Sequence, residues 1–97
     1  MKKPSMQFMV NLILYRKEQL MNVLLQAEAL LADGFEEALI GHTHGLNIVA
    51  VYDYDKCIQI MMERDEMSIE EAVEFMEFNV VGAYVGEKTP VFISSMS

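Results

Sequence analysis

The 97-residue sequence has one cysteine, two prolines and, beyond residue 17, almost no basic side chains. A lone Cys57 cannot form an internal disulfide, so a disulfide-stapled secreted scaffold is excluded and nothing calls for an oxidising compartment. The prolines, Pro4 and Pro90, fall where elements begin and end rather than inside them. All fifteen acids lie in residues 18–87, where Lys56 and Arg64 are the only Lys or Arg. Such a surface repels phosphate backbones, and no basic patch with interleaved aromatics offsets it, so direct nucleic-acid binding is not expected. No apolar run reaches the ~20 residues of a membrane span. The opening MKKPSMQFMVNLIL imitates a secretory signal, but Arg16-Lys17-Glu18 interrupts it and no small-residue cleavage site follows, so a cytoplasmic location is expected.

What is abundant is apolar residues, 53% of the chain. That excludes disorder and fits one domain with one core. It is also high for a small monomer, which has much surface to keep wet, and so predicts self-association or a partner covering an apolar patch. The basic start, with Lys2, Lys3, Arg16 and Lys17, contrasts with the acidic body. That body either docks on a basic protein surface or serves as a solvated face that keeps the protein in solution.

The elements read as follows. Pro4 and Ser5 precede a helical pattern that runs to Asp33, with Gly34 as its left-handed stop. Its first half (Met6, Phe8, Met9, Val10, Leu12, Ile13, Leu14) has almost no polar face and predicts burial against another copy. Residues 1–20 are therefore read as an apolar helical extension and residues 21–97 as a single domain, which Met21 could also begin. ALIGHTH and IVAVYD predict two strands around a turn with Gly45 and Asn47, the second strand being central. Asp53 caps a helix that buries Tyr54, Cys57, Ile58 and Met61. Ser68 and Glu71 form a capping box, opening a helix whose stripe is Ile69, Val73, Met76 and Val80. This helix is read to Tyr84 or Val85 with Gly86 as its stop; the same residues also fit a hairpin, VVGAYV with PVFI. PVFI closes the sheet, antiparallel to IVAVY. The fold class is thus α+β: an N-terminal helix, a small three-stranded, mostly antiparallel sheet and a central two-helix hairpin.

The motifs DGFEEALIG, VYDYDKCIQIMMERD, MSIEEAVEFMEFNVVGAYVG and TPVFI resemble a family of small uncharacterised proteins common in bacteriophage and marine metagenomic sequence. The resemblance runs from Asp33 to Ile93 and implies a phage or prophage origin, with no activity to carry over. Members have glycine after the aspartate of the interhelical turn, where Glu66 stands here, which predicts a looser or longer turn. The first twenty residues lie outside the resemblance.

Four candidate sites can be drawn. His42 and His44, at i and i+2 on a strand, project from one face, and with Asp53 or Asp55 offer ligands for Zn²⁺ or Mn²⁺; half-exposed histidines at a hairpin tip are the plainer reading. Cys57 lies on an apolar stripe near Asp53 and Asp55, which favours a buried thiol over a nucleophile. Asp53 and Asp55 with Glu63, Asp65 and Glu66 resemble an acid–base set, but caps and a wet turn about three helical turns apart account for them. Asn79, a lone amide in an apolar helix half, is expected to tie down a loop near Thr89 or to read a ligand.

The reading that follows is a non-enzymatic interaction protein. It associates with itself through the N-terminal helix, and binds a host protein with a basic surface or sequesters a ligand; a phage origin would suit an inhibitor of bacterial defence. The alternative is a small metal-binding module or metal-dependent enzyme using His42, His44, Asp53 and Asp55.

Overall fold

Ser5 starts the first helix by accepting the Phe8 N–H on its hydroxyl at 3.0 Å, which satisfies one of the amides a helix start leaves unpaired. In a computed structural model that describes Lys3 and residues 5–95, α1 then spans Met6–Gln26 without a break. Pro4, read as preceding this helix, lies outside the described residues. The helix ends well short of Gly34. Glu28 takes a left-handed conformation with φ 57°. Its N–H donates to the Leu25 carbonyl and the Ala29 N–H to the Leu24 carbonyl, at 3.1 and 3.0 Å. That pair of bonds is a Schellman stop built on a non-glycine residue. Gly34, with φ 89°, instead turns the chain where its carbonyl accepts from Arg64 Nη1 at 2.7 Å.

The sheet has three strands in the order β1-β2-β3, with β1 Leu39–His42, β2 Ala50–Asp53 and β3 Val91–Ile93. The α+β class and the central place of β2 are as the sequence predicts. The sheet is mixed, however: β1 pairs antiparallel with β2, but β3 pairs parallel to it. The reason lies in the connection. Helices α2 (Tyr54–Arg64) and α3 (Ile69–Phe75) leave from the end of β2. The loop after them is then held at the start of β2, where Asn47 Nδ2 donates to the Glu87 carbonyl at 2.5 Å and the Leu30 N–H to the Lys88 carbonyl at 3.2 Å. Entering from that end, β3 must run parallel.

Asp53 caps α2, accepting the Lys56 N–H at 3.1 Å. Ser68 and Glu71 close the predicted capping box at 3.1 Å in both directions. Beyond Phe75 the helix widens into a π turn, Met76–Val81. It stops at Gly82, so residues 82–85 are neither the helical end nor the hairpin strand that the sequence allows. A Cβ on Gly82 would lie 2.8 Å from the Glu77 carbonyl oxygen, so the exit from the π turn admits no side chain without a backbone shift.

The core gathers Leu24 of α1, Phe35 and Ala38, Ala50 and Tyr52 of β2, Cys57, Ile58 and Met61 of α2, and Ala72 and Met76 of the last helix. Tyr52 organises it: its ring stacks on Phe92 at 5.4 Å, and its hydroxyl accepts the Ala32 N–H at 2.8 Å. Only α2 buries the face foreseen for it. The last helix inserts Ala72 and Met76 but leaves Ile69, Val73, Phe75 and Phe78 exposed, so it lies along the core rather than entering it. The molecule is open for its size. Its surface of 7416 Å² compares with roughly 5,700 Å² for a compact monomer of this mass, and its radius of gyration of 15.4 Å with about 12.5 Å.

Candidate interaction surface

The polar candidates are explained by structure. His42 and His44 do meet, with ring centroids 4.9 Å apart, although a bulge between Leu39 and Gly41 interrupts the alternation expected of β1. His42 Nδ1 lies 2.7 Å from the Thr43 carbonyl oxygen. Asp53 is occupied as the α2 cap and Asp55 is exposed in the first turn of that helix. Among the described residues, no group of three or more His, Cys, Asp or Glu is placed to hold a metal ion.

Cys57 is fully buried, and burial, reinforced by the Asp53 charge, pushes its thiol up to about 11. It is therefore protonated at neutral pH, the opposite of what a nucleophile needs. Glu63, Asp65 and Glu66 sit at the far end of α2, roughly 16 Å along the helix axis from Asp53 and Asp55. There Asp65 pairs with Arg64 at 2.8 Å, and that guanidinium holds its carboxyl below the usual range. No acid–base set converges.

Asn79 corrects the sequence reading. Its side chain is exposed, so it has no desolvation cost to recover, and it lines a shallow groove with Met67, Glu71 and Phe75. The tie to the loop before β3 is made by Asn47 instead. Asn47 stands in a turn that the sequence does identify, but nothing there signals a partner forty residues away.

What remains without an internal explanation is apolar surface. The first half of α1 projects from the fold: Met6 is 81% exposed, Phe8 55% and Ile13 50%, and Met9, Val10, Leu14 and Tyr15 are also exposed. The helix does not break at residue 20; Leu20, Met21 and Leu24 anchor it on the core. Along one side, Met6, Met9, Val10 and Ile13 follow helical spacing. This stripe runs into a groove of about 560 Å³ between α1 and β1, lined among others by Ile13, Arg16, Lys17, Leu20, Val23 and Ile40.

A second apolar face lies on the last helix. Ile69, Val73 and Phe78 line a shallow depression of about 440 Å³ with Glu70, Glu74 and Glu77. Ile69 is 53% and Phe78 76% exposed. Sequence reasoning assigned Ile69 and Val73 to the core. The signal it passed over is that a helix apolar on more than half its circumference has more greasy surface than one packing face uses.

No described helix is long and apolar enough to cross a membrane. No family model, curated protein or solved structure matches the chain.

Proposed function

We propose that this chain is a non-enzymatic interaction protein that assembles with a second copy through the exposed first half of α1. The carrying observation is that half-helix: seven large apolar side chains in residues 6–15 stand out in solvent on a helix anchored at its other end. Contiguous apolar patches beyond a few hundred Å² mark interaction sites, and the whole-molecule excess of roughly 1,700 Å² over a compact monomer is of the order of a standard interface. The acidic body is left for a host protein with a basic surface, which fits a phage-borne protein that acts by occupying its target, a bacterial defence component among the candidates. A cytoplasmic site of action belongs to the same reading.

Light scattering from about 1 to 100 μM tests the assembly. The wild type is expected at twice the monomer mass or more. Phe8→Asp/Ile13→Asp, which touches only exposed positions, is expected at the monomer mass with an unchanged circular dichroism spectrum. A wild type that is monomeric throughout this range would end the proposal.

One observation favours a second reading, a metal-binding module: the His42 and His44 rings lie side by side at the end of β1. Titration with Zn²⁺ and Mn²⁺ decides it, with His42→Ala/His44→Ala as the control that must abolish any heat.

A further inference from the structure

We infer that the surface covering the apolar half of α1 and the cations that follow it, Arg16 and Lys17, is the acidic face of the last helix, Ile69, Val73 and Phe78 with Glu70 and Glu74, in a second copy of this chain. The inference rests on the self-association proposed above and specifies its contact.

Charge makes the choice. Up to residue 17 the chain has no acid, and the exposed apolar half of α1 is flanked by cations, Lys3 in the segment before the helix and Arg16 and Lys17 just after that half. Pairing α1 with α1 of another copy sets like charges against each other in either direction. In parallel, Arg16 and Lys17 meet their own counterparts; antiparallel about residue 10, they face the end from which the helix starts, where the preceding sequence holds Lys2 and Lys3 and no acid. Like charges across an interface are penalised and oppose that register. The face of the last helix has the complementary character. Its exposed Ile69, Val73 and Phe78 are flanked by Glu70, Glu74 and Glu77, with no cation among the residues that line it.

Shape agrees with charge. The α1 wall of the α1–β1 groove runs from Ile13 to Val23, about 15 Å along the helix axis, and its cations, Arg16 and Lys17, line it together with apolar Ile13, Leu20 and Ile40. A glutamate row flanking an apolar stripe is what such a groove accepts: the side chains fill it while the carboxylates meet the guanidinium and ammonium. Each chain carries one groove and one acidic face, so two copies that exchange them reciprocally make the contact twice and close a two-fold dimer. Two such contacts draw on the surface that the open shape leaves uncovered.

The test is a charge swap read by sedimentation or light scattering at 0.15 M salt. One variant is Arg16→Glu/Lys17→Glu; the other is Glu70→Lys/Glu74→Lys, which leaves Glu77 to accept the Tyr54 hydroxyl. Each variant alone is expected to raise the dissociation constant about tenfold or more, from two reversed pairs at each of the two contacts. A 1:1 mixture is expected to recover the complex, because each variant's altered face then meets its opposite. Circular dichroism confirms that each remains folded. If the Glu70→Lys/Glu74→Lys protein assembles as tightly as wild type, or the mixture fails to recover, the α1-to-α3 contact is wrong while self-association stands. A monomeric wild type removes both.

Discussion

Glu66 shows how a single residue can carry a departure from expectation. The sequence, through its resemblance, places glycine at this point of the interhelical turn and predicts a looser turn for glutamate. The turn is not looser. Glu66 adopts the glycine conformation, φ 55°, and the chain closes behind α2 with the Asp65 N–H 2.9 Å from the Met61 carbonyl and the Met67 N–H 3.4 Å from it. A Cβ in the left-handed region costs roughly 1–2 kcal/mol, while glycine adds about 0.4–1 kcal/mol of unfolded-state entropy to be overcome. Glu66→Gly is therefore expected to stabilise the fold by about 0.5 kcal/mol, read as a rise in the urea midpoint at unchanged slope. A loss of more than 1 kcal/mol would mean that the glutamate side chain holds the turn. The same conformation at Glu28 explains why the end of α1 was illegible: glycine is the usual mark of a left-handed stop, so the eye passes on to Gly34.

At the scale of elements, the legible features are those written locally. The cap of α2, the capping box, the buried face of Cys57, Ile58 and Met61 and the central β2 all follow from residues within a turn or two of one another. The direction of β3 was not legible, because it depends on Asn47 reaching Glu87 across forty residues. Nor was the π turn, which preserves the apolar pattern while rotating Phe78 outwards to solvent.

The capping box gives a pH signature. The Glu71 carboxylate accepts the Ser68 N–H, and these bonds to Ser68 lower its pKa below the ordinary 4.5. A depressed carboxyl contributes stability that is complete above its unfolded pKa and is lost as pH falls through the folded one. Wild type is thus expected to lose stability relative to Glu71→Gln as pH falls through and below the ordinary glutamate range, since glutamine keeps an acceptor that does not titrate. Parallel pH profiles would show that the box contributes nothing charged. Ser68→Ala, which removes the other half, is expected to cost about 1 kcal/mol at pH 7, where Glu71 is ionised.

For the whole molecule, charge segregation and open shape have one consequence that the isolated fold cannot have. If a chain with 7416 Å² of surface covers part of it against a second copy, unfolding is linked to dissociation, and the midpoint of thermal unfolding rises with protein concentration. A monomeric fold shows no such dependence. The charge pattern adds a direction: a contact between the basic start and the acidic body weakens as salt screens it, within a Debye length of about 8 Å at physiological ionic strength. The melting temperature is expected to climb by several degrees from 1 to 100 μM at 50 mM salt, and to climb less at 500 mM. If the apolar stripe alone held the copies together, the higher salt would leave that concentration dependence intact or strengthen it. Melting curves at two salt concentrations therefore separate assembly from no assembly, and a charge-steered contact from a purely apolar one.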